Sequence, residues 1–145
     1  MKTLLIVAVL CAAALAAEKK IQMTDLPPAV RQAVQEQTKG AQIKGMSMEK
    51  ENGRMEYEVE TVLDSKSRDL TFDANGTLIE VEQEVGIDSL PAAARAAIEK
   101  RSVGGKIVKV ETVTRGSVTT YEAQYTKAGH SHEIGVKADG SPVKD

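Results

Sequence analysis

The sequence is poor in the residues that usually anchor a small domain. It has one cysteine, no tryptophan and one phenylalanine, and aromatic residues make up only 3% of its 145 positions. A hydrophobic core must therefore be built from aliphatic side chains, methionine and three tyrosines. The single Cys11 sits inside the first apolar run, so removal of that run leaves no thiol. Disulfides, thiolate catalysis and cysteine metal sites are then excluded. Neither sign of charge dominates: 19 Lys and Arg face 21 Asp and Glu, a net charge of −2. That balance gives no reason to expect nucleic acid, which calls for a basic surface. No apolar stretch reaches the roughly 20 residues of a spanning helix, so stable membrane insertion is not expected.

What the first residues do contain is an export signal. Lys2 supplies a positive start, Leu4 to Leu15 is apolar, and Ala14-Leu15-Ala16 has the small-x-small cleavage pattern. Polar Glu18-Lys19-Lys20 follows at once. The pattern predicts a signal peptide over residues 1–16, cleaved after Ala16 or one residue later. A lipoprotein signal would put a small residue just before its cysteine, and Leu10 stands there. An exported chain without disulfides suits a bacterial periplasm or the secreted fraction.

Sliding the chain against itself by 64 residues aligns two halves without a gap, with twelve identities. They include Leu26/Leu90, Pro27/Pro91, Arg31/Arg95, Tyr57/Tyr121, Glu58/Glu122 and Gly76/Gly140. Unrelated chains of this composition would share roughly three or four, so the halves read as a duplication, with units at 21–84 and 85–145. Each opens with a helix whose apolar face is Leu26, Val30, Ala33 and Val34, then Leu90, Ala94, Ala97 and Ile98. Asp25 and Ser89 have the chemistry of N-caps, and Pro27 and Pro91 suit a first turn. Period-two alternation and turn residues predict strands over 43–50, 55–63, 68–73 and 77–84, then 106–114, 118–126, 131–137 and 141–144. The expected fold is α+β: two tandem units, each one helix across a four-stranded antiparallel meander.

The stretches Leu26-Pro27 to Ile43, Tyr57-Glu58-Val59 and Asp73-Ala74-Asn75-Gly76, with their counterparts in the second half, resemble the PepSY-like family and its beta-lactamase-inhibitor-like branch. The resemblance implies a small extracytoplasmic binding or inhibitory module and supplies no catalytic residues.

Motifs for chemistry are scarce. There is no G-x-S-x-G elbow and no G-x-x-x-x-G-K phosphate loop. His130 and His132 would share one face of a strand, but suitable further ligands do not accompany them. No enzyme, metal site or cofactor is expected. The distinctive feature is a one-sided distribution of charge. If Met46, Met48, Tyr57, Val59, Leu70, Phe72, Ile79 and Val81 face the helix, alternation puts Glu49, Glu56, Glu58, Glu60, Asp69, Asp73, Glu80, Glu82 and Glu84 on the opposite face, with no Lys or Arg among those strand positions. The second unit's outer face is mixed, with Lys109, Glu111, Glu122, Glu133, Lys137 and Lys144. The expected function is docking of another protein, a protease inhibitor or regulator being the specific version. Glu56, Glu58, Glu60, Asp69, Glu80 and Glu82 form the candidate surface. The rival reading is a sensor or buffer that takes cations or cationic peptides on the same carboxylates.

Overall fold

A computed structural model describes residues Glu18 to Val143. The signal peptide read over 1–16, Cys11 with it, lies outside the described residues. The elements are strand β1 (Lys19–Lys20), helix α1 (Pro28–Gln37), β2 (Gln42–Glu51), β3 (Arg54–Leu63), β4 (Lys66–Asp73), β5 (Leu78–Glu84), α2 (Ala92–Arg101), β6 (Lys106–Arg115), β7 (Val118–Lys127) and β8 (His130–Val136). A 3₁₀ turn precedes each helix, at Met23–Asp25 and Ile87–Ser89.

The helices start later than the residue types suggest. A residue before proline is pushed out of the α region. Leu26 and Leu90 are accordingly extended, at ψ 140° and 152°, and Pro27 and Pro91 become the N-caps. Asp25 and Ser89, expected to cap the α-helices, belong instead to the preceding turns: Asp25 Oδ2 accepts from the Gln22 N–H at 2.8 Å. Arg31 ties that turn to α1 by donating to the carbonyls of Met23, Thr24 and Leu26, each at 3.1 Å.

All eight strands form one antiparallel sheet in sequence order. Two-residue turns with positive φ at both positions, Asn52-Gly53, Asp64-Ser65 and Ala128-Gly129, join β2–β3, β3–β4 and β7–β8 and match strand twist. The junction between halves is β5, which pairs with β4 on one edge and β6 on the other. Its last residues pair Gln83 with Thr112 and Glu84 with Glu111, while β1 pairs Lys19 with Met48 and Lys20 with Ser47. These pairings are offset by the repeat spacing, so β5 closes the first unit and also plays β1 for the second. At the far end the strand expected over 141–144 is reduced, within the described residues, to a bridge between Val136 and Pro142.

Val81 lies opposite Thr114, which shares its face of β6 with Val110. Both helices therefore cover the same face of the sheet. Under α1 the core is Leu26, Val30, Val34, Tyr57, Val59, Leu70 and Phe72. Under α2 a separate core holds Leu90, Ala94, Ile98, Val110, Ala123, Ile134 and Val136. Tyr57 and Tyr121 both face inward, as expected, the first buried and the second partly so. One inward residue is corrected. Phe72 pairs with Leu78 and Thr71 with Glu80, so a bulge makes Ile79 the extra residue and Leu78 the one on the core.

The turns Asn75-Gly76 and Asp139-Gly140 press on the first turn of each helix. A Cβ on Gly76 would lie 2.6 Å from the Ala29 carbonyl oxygen, and one on Gly140 would lie 2.7 Å from that of Ala93. Both glycines also have φ near +80°. Close approach and left-handed backbone together explain why glycine stands at both copies.

Candidate functional site

No helix of the described residues lies on the other face of the sheet, where side chains stand in cross-strand rows. One row runs Ser47, Glu58, Thr71, Glu80, Arg115. A second runs Gly45, Glu60, Asp69, Glu82, Val113. A third joins Glu84, Glu111 and Glu122, and a fourth joins Glu49, Glu56 and Asp73. Like charges directly opposite in a sheet oppose pairing. Here Glu49 faces Glu56, Glu60 faces Asp69, Asp69 faces Glu82, and Glu84 faces Glu111, which faces Glu122.

The crowding shows in the protonation equilibria. Half-burial pushes Glu58 up from 4.5 to about 7, with Asp69 and Glu60 adding repulsion. Glu82 also rises to about 7 through burial, then through Glu80, Glu111, Glu122 and Glu58. Glu122 reaches about 7 by burial and the charges of Glu133, Glu111 and Glu80. Glu56 rises to about 6, chiefly by burial and its neighbour Glu51. Burial likewise raises Asp69, against a 3.2 Å hydrogen bond from the Thr61 N–H and the nearby Lys109 cation. A carboxylate taken partly out of water among other carboxylates holds its proton.

All six sequence-predicted site residues lie on this face, but they are not equivalent. Glu58, Asp69 and Glu82 form its half-buried centre, Glu60 is exposed beside them, and Glu56 lies towards the β2–β3 turn. Glu80 is already paired. Arg115 reaches it from β6, donating from Nε at 2.7 Å and Nη2 at 2.6 Å. The outer face of the first unit is also less uniformly acidic than alternation over 55–63 implied, because β3 begins at Arg54, on the same face as Glu56, and β1 sets Lys20 opposite Ser47. Asp73 is absorbed by its own turn, where Asn75 and Thr77 N–H groups donate to Oδ1 at 2.9 Å and hold its carboxyl below the usual range.

Sequence reasoning left out of the site the second unit's contribution. Glu111, 4% exposed, sits across the junction and accepts from Lys109 Nζ at 2.7 Å. Asp69, Glu82 and Glu111 each bring a carboxylate oxygen within 4.8 Å of the others. The available signal was the repeat itself, since Glu122 is the counterpart of Glu58. Using it required knowing that the two sheets are one. His130 and His132 lie on the helix-covered face instead, with the His132 ring stacked on Tyr125 at 5.0 Å between centroids.

The architecture defines an α+β sheet protein with one face roofed by two helices and the other left as an open carboxylate surface. The chain belongs to the family described as "Putative beta-lactamase-inhibitor-like, PepSY-like", whose profile matches residues 15–80 and again 61–141. No curated protein matches the sequence. Among solved structures, one described as "putative periplasmic proteins" from Bacteroides eggerthii is 16% identical, with a TM-score of 0.66 over 82% of this chain and 86% of that one. A BLIP-like protein from Bacteroides fragilis is 19% identical, with a TM-score of 0.57 over 82% and 84%. A DUF2874 family protein from Bacteroides uniformis is 15% identical, with a TM-score of 0.63 over 81% and 86%. At these identities the likeness is one of fold. No helix among the described residues is long and apolar enough to cross a membrane.

Proposed function

We propose that this protein is an extracytoplasmic, non-catalytic binding module whose open sheet face docks a cationic surface of another protein. The observation that carries the reading is the concentration of half-buried carboxylates at Glu58, Asp69 and Glu82 on a face that no helix of the described residues covers. Their repulsion is held in place by the two cores on the other side of the sheet. A basic partner relieves it on docking, so part of the binding free energy is stored in the unbound fold. An inhibitor or regulator of an envelope or secreted protein, such as a protease, fits such a module. The signal pattern at the N-terminus and the periplasmic descriptions of the structural relatives support a periplasmic location.

The test compares the wild type with the triple variant Glu56→Gln, Glu58→Gln, Glu60→Gln as bait for an envelope fraction. The captured partner's affinity is then measured at low and high salt. The reading expects the variant to fold, to bind more weakly and to lose salt dependence. Equal affinity at both salt concentrations reduces the face to a solubility feature.

The approach of Asp69, Glu82 and Glu111 favours a second reading, in which the same face takes a divalent cation. Hard cations prefer several converging carboxylate oxygens. Lys109 occupies one of these carboxylates, so an incoming ion must displace its ammonium. Calorimetric titration with calcium separates this reading from the first.

A further inference from the structure

The two units treat their third long strand differently. In the first, the far edge of β4 is paired with β5 from Arg68–Gln83 to Phe72–Leu78. In the second, the far edge of β8 carries, among the described residues, the Val136–Pro142 bridge and two bonds to the Gly135 carbonyl, from the Val143 N–H at 3.2 Å and from Arg101 Nη1 of α2 at 3.4 Å. The N–H and C=O of one residue in an antiparallel strand point to the same side, and successive residues alternate. Ser131 and Glu133 therefore aim their backbone groups the way Gly135 does, into the place that β5 fills in the first unit.

The side chains around this edge specify what fits. Glu133 stands on the open face opposite Gln124, near Glu122. His132 and Ile134 stand on the helix-covered face, where Leu78 and Val81 pack in the first unit. An added strand would thus place one set of residues beside Glu133 and the alternate set beside His132 and Ile134. A second copy is a poor fit. Its other edge is β1, only Lys19–Lys20 long and too short to pair across His130–Ile134. Beyond β1, β2 brings Glu49 and Glu51, and the copy's β8 edge brings another Glu133, setting like charges together.

We infer that the outer edge of β8, at His130–Ile134, accepts an extended segment of another protein that alternates basic with apolar residues. The main chain of that segment pairs with Ser131 and Glu133, its basic residues meet Glu133, and its apolar residues lie beside His132 and Ile134. Main-chain pairing supplies affinity and the alternate side chains supply selectivity. This edge is separate from the carboxylates at Glu56 to Glu82 and stands even if that face binds nothing.

The test is amide hydrogen exchange of the full chain at low salt, with and without a capped seven-residue peptide alternating lysine and valine. Saturating peptide is expected to slow exchange at Ser131 and Glu133 by tenfold or more. Glu133→Lys, an exposed substitution, is expected to weaken binding about threefold to tenfold. A peptide of the same charge with a central proline should not bind, because it cannot complete the ladder. Slow exchange at Ser131 and Glu133 in the free chain would overturn the inference, since the edge would already be paired. Equal binding of the proline peptide would also overturn it. So would protection confined to β3–β5, an outcome that would leave the acidic-face reading intact.

Discussion

Replacing Glu82 with glutamine should make the protein more stable at neutral pH and leave it nearly unchanged in acid. Glu82 is half-buried between Asp69 and the second unit's Val113, with Glu80, Glu111, Glu122 and Glu58 nearby, and its pKa rises from 4.5 to about 7. Below 4.5 the group is protonated folded or unfolded and adds no pH dependence. Between 4.5 and about 7 the unfolded chain loses its proton first, so the native state falls in relative stability as pH rises. Above that range the penalty is constant. An unscreened shift of this size would correspond to about 3 kcal/mol at 1.36 kcal/mol per unit. Exposure to water and sharing among coupled glutamates reduce the effect to roughly 1–2 kcal/mol. For a domain of this size that is on the order of 3–8 °C in melting temperature. Thermal unfolding of wild type and Glu82→Gln at intervals from pH 4 to pH 8 reads it directly. The two curves should converge in acid and separate through pH 5–7, with the variant above. Parallel curves would refute the reasoning, because Glu82 would then titrate alike in both states.

The turn glycines separate backbone strain from collision. Gly53 has φ +83° and open space around it, whereas a Cβ on Gly76, at the same φ, meets the Ala29 carbonyl. Gly53→Ala should cost about 1 kcal/mol and Gly76→Ala at least about 1 kcal/mol more, checked by urea unfolding. Tyr57→Ala removes a buried side chain and should cost on the order of 3–5 kcal/mol. Tyr121→Ala, from the less enclosed second core, should cost at least about 1 kcal/mol less in the same assay.

The parts of this fold legible in the sequence are those set by local pattern. Alternation through Met55, Tyr57 and Val59 fixes which face of β3 is inward, and Asn52-Gly53 fixes a hairpin. The duplication places both helices and both helix-contacting turns. What was not legible depends on partners distant in the chain. Leu78-Ile79 reads as ordinary alternation, and only pairing with Thr71 and Phe72 reveals the bulge. The residues of β5 alternate alike whether one edge or both are paired, so nothing local says that the strand joins the two halves. The candidate site shares this limit. Its first-unit carboxylates follow from period two, but Glu111 and Arg115 reach them only across the β5–β6 ladder. Asp25 and Ser89 show a local rule overridden by a stronger local one, the constraint that proline places on the residue before it.

The fold holds Glu58, Glu82 and Glu122 half-buried on its open face with no salt-bridge partner among the described residues, beside the paired Glu80 and Glu111. The most direct test of that arrangement is a side-chain carboxyl NMR titration of the free protein, residue by residue. Glu58, Glu82 and Glu122 should titrate near pH 7, and Glu56 near pH 6. Addition of the cationic partner should move Glu58 and Glu82 downward together, because a basic neighbour favours their charged forms. Titration of all four in the ordinary glutamate range near 4.5 would contradict the account, since the face would carry no stored repulsion for a partner to relieve.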